Sequence, residues 1–225
     1  MLTHVNDQQL ESRPAHDILE WAAQTFGRDL AVACSFGGPT GMVLIDMLAG
    51  IDRTIPIYYL DTGLLFPQTY EHIARVAEHY KIQPIPVRPT HSVVEQERDE
   101  GSELWEREPD RCCYLRKVAP QAEFLRGYRA WTTAIRHDQA PSRERARAVE
   151  YDAKFGLIKV CPFVAWTERD VWDYIRERRV PYNPLHDFGY PSVGCLPCTK
   201  PIRPGDDPRA GRWSGKPKLE CGLHV

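Results

Sequence analysis

The sequence predicts an α/β fold, a parallel twisted sheet flanked by helices, and three features carry that expectation. Short apolar runs alternate with amphipathic helical stretches through the first half of the chain, a glycine-rich turn follows the first run, and 225 residues suffice for one sizeable core. From Ala15 to Phe26 the apolar residues Ile18, Leu19, Ala22, Ala23 and Phe26 recur at helical spacing, and Gly27 stops the helix. Leu30 to Cys34 reads as a buried strand. Gly37-Gly38-Pro39-Thr40-Gly41 then leads into a helix through Met42 to Leu48. Strands follow at Ile55 to Leu60 and Pro84 to Val87, with a helix at Gln68 to Tyr80 between them. A helix from Tyr114 to Leu125, strands at Tyr128 to Ala134 and Leu157 to Val160, and a Thr167-capped helix through Arg176 complete the pattern. Prolines thicken from Pro181 onward, where periodicity gives way to loop. One domain over 1–225 is expected, with an α/β core at 1–190 and a loop-rich segment and mobile tail at 191–225.

The net charge of -2 carries no nucleic-acid signature. No apolar stretch approaches the roughly 20 residues of a membrane span, and the N-terminus lacks a signal-peptide pattern. The expectation is a soluble cytoplasmic protein. Seven cysteines, four of them in two close pairs, favour metal or redox chemistry over structural disulfides.

Ligands of parallel sheets bind at the carboxyl ends of strands. Ser35 to Gly41 places backbone N–H groups at a helix N-terminus, an arrangement suited to an anion or to a plain structural turn. Leu60-Asp61-Thr62-Gly63 and Arg136-His137-Asp138-Gln139 end two further strands at the same edge. Cys112-Cys113 and Cys195-Leu196-Pro197-Cys198 supply four thiols, enough for zinc or an iron–sulfur cluster. Adjacent cysteines turn poorly toward one small ion, which favours the cluster, and a thioredoxin-like redox pair at Cys195 and Cys198 lacks its usual strand-to-helix context. Cys34 and Cys161 read as small core residues. Cys221, in Glu220-Cys221-Gly222-Leu223-His224-Val225, is a thiol on a tail, placed to react or merely solvated.

These stretches, with Pro67, Tyr70, Arg116-Lys117, Arg136 through Pro141, Pro181 through His186 and Gly211-Arg212-Trp213, resemble the assimilatory sulfonucleotide reductases, specifically the iron–sulfur adenosine 5'-phosphosulfate (APS) reductases. The resemblance implies an adenine-nucleotide α-hydrolase-like (PP-loop-type) fold, a [4Fe–4S] cluster on Cys112, Cys113, Cys195 and Cys198, and Cys221 as nucleophile. It implies sulfite and AMP as products, thioredoxin as reductant, and a homo-oligomer. By the same resemblance Lys117 lies between cluster and substrate, Arg209 and Arg212 hold the phosphosulfate together with Arg143 or Arg145, of which Arg143 is preferred, and His224 belongs to the site; Arg136, at its strand end, adds a fixed cation at the same edge. Ser35 and Leu60 are the candidate nucleotide contacts. The chain departs from the family at Gly38-Pro39-Thr40-Gly41, where acidic or polar residues are usual.

The chemistry asks for such residues. A soft thiolate attacks sulfur, AMP leaves, and an external dithiol then attacks the S-sulfonated Cys221. A thiolate about 4 Å from one negative charge is opposed by roughly 4 kcal/mol at an effective dielectric near 20, so neighbouring cations are required. The rival readings are reduction of the 3'-phosphorylated nucleotide (PAPS), an ATP-pyrophosphatase, and a zinc-dependent binding module.

Overall fold

The computed structural model describes residues 10–224, and the chain falls into two compact units. The chain up to Cys34, Pro39–Tyr58 and Leu125–Pro181 form one; Ser35–Gly38, Tyr59–Phe124 and the chain from Tyr182 form the other. The division interleaves along the sequence. Six strands make one sheet: β1 (Leu30–Ala33), β2 (Ile57–Leu60), β3 (Ile85–Val87), β4 (Ala130–Thr132), β5 (Val149–Asp152) and β6 (Leu157–Val160), in the order β3-β2-β1-β4-β6-β5. β1 runs parallel to β2, Val32 opposite Ile57, and to β4, Leu30 opposite Ala130. β4 and β6 are also parallel, and β5 runs antiparallel to β6 at the edge. The order of strands reverses between β1 and β4, which is where open α/β sheets form a crevice at their carboxyl ends.

In the first unit, α1 (Ala15–Phe26) buries Ile18, Leu19, Ala22 and Ala23, the face its spacing predicts. α2 (Pro39–Ile51) is longer than its expected core because Pro39 begins it and Thr40 and Gly41 are already buried within it. Apolar nearly all round, α2 is buried accordingly. Trp131 on β4 is fully buried, with its Nε1–H donating to Asp152 at 3.1 Å, and a residue of that size contributes about 1.5–3 kcal/mol of burial or more. The strand β5 escapes sequence reading because Val-Glu-Tyr-Asp offers one buried apolar residue and no run.

In the second unit, α3 (Pro67–Tyr80) buries Thr69, His72, Ile73, Val76 and Tyr80 along one face, with Pro67 at its first position. α4 (Val93–Glu100), unanticipated, is polar and held by a Ser92–Glu95 capping box, a pattern readable in the sequence. The short α5 (Leu104–Arg107) precedes α6 (Pro109–Cys113), a π-helical turn at Tyr114–Val118 and α7 (Ala119–Leu125). The helix expected from Tyr114 thus begins at Pro109, which supplies a preset first-turn φ, and both tandem cysteines lie inside it. Phe66, Leu185 and Val193 cluster with Tyr190. Asn183 donates to the carbonyl of Phe36 at 3.0 Å and to Thr69 Oγ1 at 3.1 Å, fixing the turn after β1, where Phe36 adopts φ +53. α8 (Glu168–Arg178), back in the first unit, is capped by Thr167 as expected and tied to α2 by Tyr174 Oη donating to Asp46 at 2.7 Å. Among the described residues no helix is long and apolar enough to cross a membrane.

Candidate active site

Four cysteines of the second unit line one cavity. Cys112 and Cys113 come from α6, Cys195 and Cys198 from the loop, and Arg116, Lys117 and Trp213 share the wall with them. The loop folds this way because Pro197 suits the tight 3-10 turn at Leu196–Cys198, whose N–H of Cys198 donates to the carbonyl of Cys195 at 3.0 Å. Leu196 N–H donates to the Leu64 carbonyl at 2.7 Å, zipping the loop to the segment after β2. Burial pushes the Cys112 thiol up to about 11, with Cys113 and Cys195 adding to it, and Cys198 up to about 12. Burial also raises Cys113, against the opposing charge of Lys117.

The surroundings suit a sulfur-ligated group. Trp213 Nε1 is buried in the cavity wall without a hydrogen-bond partner, and Thr62 Oγ1 is hydrogen-bonded to Cys195 Sγ at 3.4 Å. Among the described residues no carboxylate lines the cavity, while two cations do. Four soft sulfur ligands beside two cations and an unused N–H fit an iron–sulfur cluster. Among the described residues no three His, Cys, Asp or Glu side chains are set to grip a metal ion in this conformation.

Arg116 is almost fully buried and acts as a tie. Its Nε donates to the Thr62 carbonyl at 2.5 Å and its Nη1 to Gln96 Oε1 at 3.0 Å, joining the end of β2, α4 and the π turn. The π turn then presents Lys117. Burial lowers the Lys117 pKa, but the sulfurs of Cys195, Cys221 and Cys113 outweigh it, and the net shift is upward, so the ammonium is held charged. Arg212 packs its guanidinium 4.5 Å over the Trp213 ring and donates to Ser192 Oγ at 3.3 Å. A Cβ on Gly194 would stand 2.3 Å from Arg212 Nη2, so only glycine lets the guanidinium lie there.

Through His224 the tail is docked in this conformation, and Val225 lies outside the described residues. Cys221 is half-buried, within electrostatic reach of Lys117 and Cys113. Arg209 donates to the Leu219 carbonyl at 2.6 Å and pairs with Glu220 at 3.3 Å, so its guanidinium is directed at the tail. His224 is half-buried in the same stretch. Leu60 is half-buried at the end of β2 and Ser35 is exposed, its Oγ accepting from Gly37 N–H at 3.3 Å. Asp61 faces inward to its own unit. Burial pushes its pKa up, but hydrogen bonds from Tyr70 and Arg88 outweigh it and hold the carboxylate ionised.

The first unit carries Arg136 and Arg143. Arg136 follows β4, is buried, and donates to Thr40 Oγ1 at 2.5 Å and Asp138 at 2.8 Å. Arg143 is half-buried on a turn and donates to Gln139, whereas Arg145 is exposed. Sequence reasoning passed over Thr62, Arg116 and Trp213 as site residues. Their signal was adjacency: each stands within a stretch that also carries a residue chosen for the site.

Residues 29–201 match the phosphoadenosine phosphosulfate reductase domain. The chain belongs to that family. Its reductase relatives extend beyond the matched residues: an adenosine 5'-phosphosulfate reductase of Geobacillus kaustophilus is 46% identical over 216 residues, covering 96% of this chain and 92% of the relative. Adenosine 5'-phosphosulfate reductase 1 of Bacillus subtilis is 48% identical over 211 residues, covering 93% and 90%. Among solved structures, the phosphoadenylyl-sulfate reductase of Candida auris, a phosphate complex, superposes with a TM-score of 0.76 at 30% identity, covering 89% of this chain and 98% of that one. The FMN adenylyltransferase of Candida glabrata shares the fold alone, with a TM-score of 0.62 at 14% identity over 87% of this chain and 64% of that one. The PP-loop-type fold expected of this reductase family is therefore the one observed.

Proposed function

We propose that this chain is an assimilatory APS reductase, an oxidoreductase that releases sulfite and AMP and draws its electrons from thioredoxin. The observation that carries the reading is Cys221, a thiol outside the four-cysteine cavity yet held beside Lys117 in the same unit. The Cys221 thiolate attacks the sulfate sulfur, the bond from sulfur to the bridging oxygen breaks, and AMP departs with that electron pair. A thioredoxin thiolate then attacks the Cys221 sulfur and sulfite leaves with the S–S electron pair; the second thioredoxin thiol attacks its partner sulfur in the resulting mixed disulfide, closing the thioredoxin disulfide and releasing the Cys221 thiolate. The sulfur gains two electrons and thioredoxin loses them.

Lys117 and Arg212 offset the repulsion between thiolate and phosphosulfate, and both sit where burial strengthens their field. Ser35, Leu60, Arg136, Arg143, Arg209 and His224 join them on the strength of the family pattern. A [4Fe–4S] cluster held by Cys112, Cys113, Cys195 and Cys198 would staple the loop to the helix that carries Lys117 and contribute charge to the local field. The seven cysteines are all free, in keeping with the reducing cytoplasm. Association into a homo-oligomer belongs to the same proposal.

The solved reductase of Candida auris is named for PAPS, so both nucleotides belong in the test. Incubated with APS and no reductant, the protein is expected to gain a sulfonate on Cys221 by mass spectrometry, and Cys221→Ser to gain none. Thioredoxin should then release sulfite faster from APS than from PAPS. Absence of the adduct in cluster-loaded protein overturns the proposal.

A further inference from the structure

We infer that Glu220, clasped by Arg209, is a positioning residue that sets the Cys221 thiol for attack. The strap leading to Cys221 has an inverted pattern. Lys218 and Glu220 are each only 9% exposed, whereas Leu219 between them is 70% exposed. A segment docked for stability alone turns its leucine inward and its charges to water, because a buried ion costs several kcal/mol unless it is paired. Here both charges are paired. Arg209 grips two successive points, the Leu219 carbonyl at 2.6 Å and the Glu220 carboxylate at 3.3 Å. Lys218 reaches Asp110, two residues before Cys112 on the same helix, and lies 5.3 Å over the Trp213 ring. The backbone entering Cys221 is thereby fixed against the element that carries Lys117.

The inference rests on the proposed reaction and gives Arg209 a second duty, holding the tail that bears the nucleophile. Its consequence is kinetic. A displacement of about 1 Å at a reacting atom lowers rate by as much as a hundredfold while leaving binding of the remote part of the substrate intact. Single-turnover formation of S-sulfonated Cys221 is therefore to be measured at saturating APS in the cluster-loaded wild-type, Glu220→Gln and Glu220→Ala proteins, alongside KM, Tm and the rate of Cys221 alkylation without nucleotide. Glu220→Ala should slow adduct formation at least tenfold with KM within twofold, should speed alkylation severalfold, and should lower Tm because it leaves Arg209 without its carboxylate partner. Glu220→Gln, which keeps the shape and a neutral acceptor, should fall between and remains informative if the alanine protein does not fold. Rates of adduct formation within twofold of wild type in the folded variants overturn the inference, as does a slowing matched by a rise in KM or unaccompanied by faster alkylation of Cys221. If wild type itself forms no adduct, the proposed function fails separately, and unchanged alkylation then overturns the positioning role as well.

Discussion

At the scale of single residues, two glycines separate a site effect from a folding effect. A Cβ on Gly194 would meet the guanidinium of Arg212, a side chain able to move away, whereas a Cβ on Gly211 would stand 2.1 Å from the Lys200 carbonyl oxygen, part of the backbone. Gly194→Ala should therefore keep Tm close to wild type and raise KM for APS several-fold, since Arg212 loses its seat over Trp213. Gly211→Ala should cost about 1–3 kcal/mol by overpacking, seen as a lower Tm in a thermal melt. Cys34 and Cys161 show the opposite kind of residue. Both are buried, and burial pushes the Cys161 thiol up to about 12, so each packs as a small apolar group.

At the scale of elements, the helix from Pro109 to Leu125 does the arranging. Adjacent residues of an α-helix diverge by about 100° around its axis, so the tandem cysteines reach one cavity only because the loop with Cys195 and Cys198 closes round them. The π turn that follows places Arg116 inward and Lys117 at the cavity, a use of irregular helix common at functional sites. In the other unit α8 is held by an ordinary capping box. Thr167 Oγ1 accepts from Asp170 N–H at 3.2 Å at the start of α8, so Thr167→Ala should lower stability by about 1 kcal/mol, roughly 2–4 °C in Tm for a chain of this size, without changing turnover.

At the scale of the whole molecule, acid stability has a legible source in a buried histidine. His72 is fully buried, and burial first, with Arg75 and His186 after it, pushes its pKa down to about 4 from the ordinary 6.5. Between those values the unfolded chain binds a proton that the folded chain refuses, so stability is fully present above about 6.5 and is lost as pH falls toward 4. Denaturant melts should show about 2 kcal/mol less stability at pH 5 than at pH 7 from this group, and His72→Gln should remove that slope. Asp61, whose carboxylate is held ionised, adds its own loss only at lower pH. By itself the sequence determined the alternation of strands and helices, the Thr167 cap, the four paired cysteines and the tail thiol, because apolar period, capping chemistry and cysteine spacing are local signals. The edge strand β5 and the start of the cysteine helix were not legible, since one is too polar to form a run and the other opens with Pro109-Asp110-Arg111, which carries no apolar period. Only the tertiary structure decided that four cysteines share one cavity with Arg116, Lys117 and Trp213, and that Arg209 turns to Glu220. Those are contacts between segments tens of residues apart, set by how the loop, the helix and the strap pack on one another.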